Sequence, residues 1–392
     1  MLVLMCVGII SASVVNGNFW NKGTVISIVL VSSVGLLNSL HGALSSNPGA
    51  IPTLTIWVAW PLVYLFATAL LINNQSFRWI VRVLFLSMIA IVLYTMVYLG
   101  KMASIVPEWM YIELDMGQDI NADFVEYALY NITSLMALIP FAATFAYIKN
   151  PVGAKNKIII YVLLMVCFAV VVLSGRRALQ INFFLVPIFT FVSISLLSKI
   201  DMGELVQILS YWSIKMVGVI AIFLALATLY FGDFIDAIFT NVAAAYDLLD
   251  SGKESERVDQ LYSLVEGWVS SPLRFFIGWG NGASADVIRS VETPWAYELT
   301  YVYLLFSTGL IGTLFYFGWF TWGLMRLRRV MLMRPDLLVY VAPLVSGVLG
   351  LCVAAVTNPY FGKFDYLWLV LLPHLLVGGV KYQAQIFKRS HV

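Results

Sequence analysis

Residues 79–99 read WIVRVLFLSMIAIVLYTMVYL, a run of 21 residues in which Arg82 is the one charged side chain. A helix of that length rises about 30 Å, the thickness of a bilayer's hydrocarbon layer. Comparable runs recur near 1–16, 24–44, 53–72, 125–148, 158–173, 178–198, 212–231, 299–323, 337–357 and 366–380, which makes eleven spans in a chain of 392 residues. Composition agrees: 61% of the residues are hydrophobic and 11% charged, and the mean hydropathy is +0.90. Ordinary soluble chains run at about 45–50% apolar and about 25% charged, so the surplus apolar surface here needs hydrocarbon as its solvent. A formal net charge of +2 is too small for a phosphate-binding face, which sets nucleic acid aside as a partner. The expected fold class is an all-α polytopic membrane protein with about 11 transmembrane helices in contact with the lipid bilayer. The first run is short, and the chain has no Lys or Arg before Lys22, so this run lacks the basic start of a signal peptide.

Sidedness follows from the basic residues. Lys22, Arg78, Arg82, Lys149, Lys155, Lys157, Lys199, Lys215, Arg326, Arg328, Arg329, Arg334, Lys381, Lys388 and Arg389 fall on one side, 15 of the 23 basic groups. That side is read as cytoplasmic. The other side holds 18 of the 21 acids, leaving Asp201, Glu204 and Asp336 inside. The chain divides into residues 1–231 with eight spans and an acidic outside loop near 100–124 (Glu108, Glu113, Asp115, Asp119, Asp123), a long outside loop at 232–297, and residues 298–392 with three spans and a cytoplasmic C-terminus. The acidic loop reads as a solvated surface.

The 66-residue loop from Gly232 to Tyr297 is too long for a bare connection and too aromatic for disorder. Val258, Leu261, Val265 and Trp268 recur at helical spacing, with Asp259, Gln260, Ser263 and Glu266 on the other face. This spacing predicts an amphipathic helix lying at the membrane surface, with Arg257 on the border between its faces.

Several chemistries find little support. Span interiors are almost free of charge, with Lys215, Glu126 and Glu298 near span ends, so a midplane ion relay of the transporter kind has no obvious residues. His41, His374 and His391 are far apart, no Asp-x-Asp pair falls in an outside loop, and no P-loop is present. No metal and no cofactor is expected. Cys6, Cys167 and Cys352 all fall inside spans, which predicts buried thiols and no disulfide framework.

Arginines near the membrane on the outer side remain. Ser174-Gly175-Arg176-Arg177 makes a short turn between two spans, where guanidinium forks can anchor at the lipid surface or bind a lipid phosphate bidentately. Glu256-Arg257 opens the amphipathic helix, and the loop continues to Gly278-Trp279-Gly280-Asn281-Gly282. That glycine-rich stretch is either a tight bend or a set of amides turned toward an anion. Arg274 and Arg289 are expected on a solvated rim. A carboxylate at the mouth of an apolar helix is costly without a partner, so Glu298 is the ion-pair partner of one of these arginines or a general base of raised pKa, two roles that can hold together. Such a site suits transfer of a group from a lipid pyrophosphate to a hydroxyl, with arginines on the departing pyrophosphate and the carboxylate taking the proton.

The order of these elements resembles the Wzy-type O-antigen polymerases. The match runs over roughly 170–365, from Ser174-Gly175-Arg176-Arg177 through Glu256-Arg257, Gly278-Trp279-Gly280-Asn281-Gly282 and Glu298 to Ser307-Thr308-Gly309-Leu310-Ile311-Gly312 and the outside turn Thr357-Asn358-Pro359-Tyr360-Phe361-Gly362-Lys363. The resemblance implies a GT-C-like glycosyltransferase of the bacterial inner membrane that works at the periplasmic face. It would move a growing glycan from undecaprenyl pyrophosphate onto a second lipid-linked repeat unit in lipopolysaccharide biosynthesis, alongside a flippase and a chain-length regulator. By the same resemblance Arg176, Arg177, Arg257, Gly278, Gly280 and Gly282 would face pyrophosphate, and Glu298 and Arg257 would be catalytic. Glu298 stands where the related ligases have a histidine, a departure from the ligase pattern. Ligation onto a lipid A core and polysaccharide export are the alternatives left open.

Overall fold

The computed structural model describes residues 21–66, 74–102, 130–148, 154–173, 176–199, 252–288, 290–362 and 364–389, with single positions between. Thirteen α-helices are named among these residues: α1 Lys22–Leu44, α2 Ala50–Leu54, α3 Trp60–Phe66, α4 Asn74–Met102, α5 Leu135–Tyr147, α6 Ala154–Leu173, α7 Arg177–Phe184, α8 Val186–Leu197, α9 Gly252–Val269, α10 Pro272–Ile277, α11 Thr300–Met331, α12 Leu338–Ala354 and α13 Phe364–Arg389. A π-helical turn, Thr55–Ala59, joins α2 to α3, and a two-residue antiparallel pairing of Ile120–Asn121 with Phe124–Val125 is the strand content described. Among the described residues four helices are long and apolar enough to cross a membrane: Lys22–Leu44, Phe77–Tyr98, Thr300–Met331 and Pro335–Ala354. The bent pair Ala178–Phe184 and Val186–Leu197 makes a fifth if counted as one span. The chain is thus helical and compatible with membrane insertion, as its composition requires. The run at 1–16, most of 212–231 and the acids of the 100–124 loop lie outside the described residues.

Two runs read as plain spans take other forms. In the 125–148 run Val125 belongs to the short strand pairing and Tyr130–Ser134 is a 3-10 turn, with the described α-helix running from Leu135 to Tyr147. The 178–198 run bends by 59° between α7 and α8. Pro187 stands in the first turn of α8, where its missing N–H and fixed φ are tolerated as a helix start and not as a helix interior.

The core is built where α5, α8 and α12 meet, and small and hydroxylated residues let them approach closely. A Cβ on Gly350 would sit 2.4 Å from the Met136 carbonyl, so α12 comes nearly backbone to backbone with α5. Pro140 has no N–H to offer that carbonyl, and Asn182 Nδ2 supplies a donor to it at 3.3 Å while also donating to the Gly350 carbonyl at 2.9 Å. Thr144 Oγ1 bridges Thr190 Oγ1 at 2.9 Å and Ser346 Oγ at 2.8 Å. A second joint ties α1, α11 and α13: the His374 ring meets Ser27 Oγ at 2.6 Å and the Trp319 carbonyl at 3.0 Å, and the Trp319 indole stacks on it at 4.1 Å. Arg326 Nη1 donates to the Gly23 carbonyl at 2.8 Å, which puts the basic ends of α1 and α11 side by side.

Helix α11 is kinked at Gly309, whose φ of 65° departs from helical geometry. The break frees the Phe306 and Ser307 carbonyls, and the amides of Trp279 and Gly280 donate to them at 3.0 and 2.8 Å. The glycine-rich loop then crosses to α1, where the Asn281 amide donates to the Asn38 carbonyl at 2.9 Å and Asn281 Nδ2 to Ser39 Oγ at 3.1 Å. Asn47 Nδ2 holds the loop from the far side through the Trp279 carbonyl at 2.9 Å.

Candidate functional site

The amphipathic helix expected in the long loop is α9, Gly252–Val269. Its inward face carries Gln260 and Leu264, both buried, and Leu264 packs in a cluster with Ala283, Tyr297 and Phe306. Gln260 was expected on the water-facing side. It turns inward because α9 docks on the α11 end of the protein, and the stripe of Val258, Leu261 and Val265 is left exposed. The neighbouring α10 is capped by Ser271, whose side chain accepts from the Arg274 amide. Trp268 Nε1 donates to the Phe275 carbonyl at 3.0 Å and Trp279 Nε1 to the Gly267 carbonyl at 2.8 Å, so α9, α10 and the glycine-rich loop form one unit.

This unit points Arg257 at Glu298, two residues before α11. Arg257 Nε donates to Glu298 Oε2 at 2.6 Å, with the arginine side chain 47% exposed and the carboxylate 13%. Of the two sequence readings of Glu298, the ion-pair partner is the arrangement found. Beside the pair lies Tyr360, in the 3-10 turn Tyr360–Gly362 between α12 and α13. Its ring is buried. Burial pushes the Tyr360 phenol up from its ordinary pKa, the adjacent Arg176 guanidinium draws it partway back, and the Tyr366 phenol and Glu298 carboxylate push it up again. Thr300 Oγ1 donates to the Asn358 carbonyl at 2.6 Å and fixes this turn to the start of α11. Arg176, half-buried at the start of α7, and Glu298 both act on this phenol, and Arg257 joins them through its pair with Glu298.

Sequence reasoning singled out three of these four residues and missed Tyr360. It had named the turn that carries Tyr360 without giving that side chain a role. The stretch Ser174-Gly175 lies outside the described residues, as do Arg289 and the side chains of Arg177 and Glu256. The amides of Gly278 and Gly280 donate to the Arg274 and Ser307 carbonyls at 2.9 and 2.8 Å. These two glycines therefore spend their N–H groups within the fold, while the Gly282 carbonyl accepts from the Gly49 amide at 3.0 Å. Arg274, expected on a solvated rim, is half-buried: its guanidinium lies 3.9 Å over the Trp279 ring and donates to the Gly278 carbonyl at 3.2 Å. No group of three His, Cys, Asp or Glu side chains converges among the described residues. Cys167 and Cys352 are free thiols.

What the arrangement offers chemically is a cationic rim, an oriented carboxylate and a buried hydroxyl at the end of apolar helices. Compared with known proteins, the chain matches no family model, no curated protein and no solved structure.

Proposed function

We propose that this chain is a Wzy-type polymerase of lipid-linked oligosaccharide repeat units. In this reading it has 11 spans in a GT-C-like architecture, sits in the bacterial inner membrane, and works at the periplasmic face with a flippase and a chain-length regulator. The observation that carries the proposal is the Arg257–Glu298 ion pair with Arg176 and Tyr360 beside it. Guanidinium groups keep their charge and bind phosphate oxygens as forks, which fits Arg176 and Arg257, with Arg177 next in sequence, to a lipid pyrophosphate.

The reaction follows from those roles. A hydroxyl of the acceptor repeat unit attacks the anomeric carbon of the donor glycan, and the bond from that carbon to the pyrophosphate oxygen breaks. Glu298 takes the hydroxyl proton. The electron pair leaves with undecaprenyl pyrophosphate, whose growing charge the arginines stabilise. Arg257 serves both partners, orienting the carboxylate in the resting state and turning to the phosphate as charge develops. The glycines at 278, 280 and 282 act here through the shape of the loop.

The experiment is a gel of surface polysaccharide from a strain lacking the gene, with and without a plasmid copy. A ladder that collapses to core carrying one repeat unit, restored by the plasmid, supports the polymerase. Loss of every repeat-bearing band moves the protein to export or ligation.

A further inference from the structure

Helix α10 has no buried residue, and it leaves Leu273, Phe276 and Ile277 exposed. The exposed surface continues onto α9 as Val258, Leu261, Tyr262, Val265 and Val269, which fall within one helix face about 100° wide. The other face of α9, with Gln260 and Leu264, is the one that packs on protein. An apolar stripe of this extent turned away from the core marks contact with a membrane or a partner.

The depth of α10 decides between them. Helix α11 folds back at Gly309: Tyr301 stacks on Phe317 at 5.6 Å, although 16 positions of straight helix would part them by about 24 Å. The arm from Gly309 to Arg326 therefore runs by itself along α1. Arg326 meets Gly23, Trp319 meets Ser27, and a Cβ on Gly312 would meet Asn38. Seventeen residues separate Gly309 from Arg326 and twenty separate Gly42 from Lys22, which is about 26 and 30 Å of helix, close to one hydrocarbon thickness in both cases. Helix α10 ends against Gly309, where a Cβ would run into the Phe276 carbonyl, and the loop after it rests on Gly42, where a Cβ would run into the Asn281 carbonyl. It thus lies at one edge of the hydrocarbon layer, away from the basic ends of α1 and α11. At that level α1 still presents Leu37, Leu40 and Leu44 outward, so apolar surface reaches this far along the bundle. The rings around α10 suit such an edge. Trp268 stacks on Phe275 at 4.9 Å and Arg274 lies 3.9 Å over the Trp279 ring, indole and snorkelling guanidinium being groups favoured where hydrocarbon meets headgroups.

We propose that α10 and the exposed stripe of α9 form an interfacial anchor seated in the leaflet on that side, with phospholipid acyl chains as its partner and Leu273, Phe276 and Ile277 as its inserted side chains. Periodicity alone puts the membrane contact on α9; the structure adds α10 and exchanges Trp268 for Tyr262 and Val269. Because α9 carries Arg257, which holds Glu298, the anchor sets the height of that pair above the lipid. The inference rests on the chain's crossing a membrane and not on the polymerase reading.

The test is photocrosslinking of the full-length protein in vesicles of phosphatidylethanolamine and phosphatidylglycerol, with p-benzoylphenylalanine placed at Phe276, at Tyr262 or, for comparison, at the exposed Glu292. Mass spectrometry reads the addition of one phospholipid, and a denaturing gel reads covalent dimers. Phospholipid adducts at Phe276 and Tyr262, at least about fivefold above those at Glu292, are the expected result. Each of the two positions already holds an exposed aromatic ring, and each reads the effect if the other variant does not fold. Covalent dimers in place of adducts would make the face an interface between two copies of this chain, and adducts no more frequent than at Glu292 would put it in water; either result overturns the anchor. Failure here is separable from failure of the polymerase reading. Adducts in a protein whose loss leaves the polysaccharide ladder unchanged keep the anchor and remove the polymerase, and a collapsed ladder without adducts does the reverse.

Discussion

Arg257 Nε and Glu298 Oε2 meet at 2.6 Å although 41 positions separate them in sequence. The pair joins the surface helix α9 to the mouth of α11, and the arginine side of it is nearly half exposed. Exposed pairs of this kind contribute at most about 1 kcal/mol to stability. Arg257→Ala should therefore leave the thermal midpoint in detergent almost unchanged while removing long polymer from the cell surface. Arg257→Lys should restore little, since an ammonium lacks the fork. A variant that loses polymer only in proportion to lost protein would make the pair structural.

Glu298→Gln keeps the size of the side chain and removes its charge. If the carboxylate takes the acceptor proton, turnover should fall by about 100-fold or more, the usual contribution of a positioned base. Polymer length and amount from a plasmid-borne variant give the readout. A fully active Gln variant would reduce Glu298 to a partner that orients Arg257.

Tyr360 is buried with its phenol toward Arg176. Tyr360→Phe removes a buried hydroxyl within electrostatic reach of Arg176 and Glu298 and should cost about tenfold or more in activity. Folding should survive, because the ring still fills its place against Tyr366. An unaltered rate in the Phe variant would exclude the hydroxyl from the site.

At Gly309 φ is 65°, and a Cβ would stand 2.4 Å from the Phe276 carbonyl. Gly309→Ala should destabilise by about 1–3 kcal/mol from backbone strain alone and loosen the loop that docks on the kink. Limited trypsin digestion should then cut at Arg274, which in the native protein is stacked on Trp279. Unchanged protease resistance would show that the kink tolerates a side chain.

Burial raises the Tyr297 phenol above its ordinary pKa, with the Ala285 amide hydrogen bond opposing and the Asp286 carboxylate adding to the rise. Because the folded value lies above the unfolded one, the contribution is fully present below about pH 10 and is lost as pH climbs through the folded value. Loop stability should thus fall in alkali. Tyr297→Phe should flatten that part of the pH dependence in a set of thermal melts, and an identical alkaline slope would assign it elsewhere.

The sequence discloses long apolar runs well, because hydrocarbon thickness fixes their length and their contents together. Helices α1, α4, α11 and α12 fall where such runs lie. It says less where a run is interrupted by one residue whose effect depends on its neighbours. Pro187 bends α7 against α8, whereas Pro140 sits inside α5, its loss repaired by Asn182 from another helix. The period of α9 is legible, but which face packs on protein is decided by α11, so Gln260 goes inward and Val258 stays out. Arg176, Arg257 and Glu298 are visible as charges in a chain that has few. Tyr360 is not, since one tyrosine among 20 acquires meaning only from what stands beside it.

The loop held by Asn281 also sets a timetable for making the protein. Asn281 clasps Ser39, 242 residues earlier in the chain, while its neighbours Trp279 and Gly280 pair with carbonyls that follow them. Translation at about 5–20 residues per second leaves α1 waiting on the order of 12–50 seconds before its partner emerges. During that interval the outer end of α1 must stand in the bilayer without its clasp, a period in which a chaperone or a protease has its best access to the nascent chain.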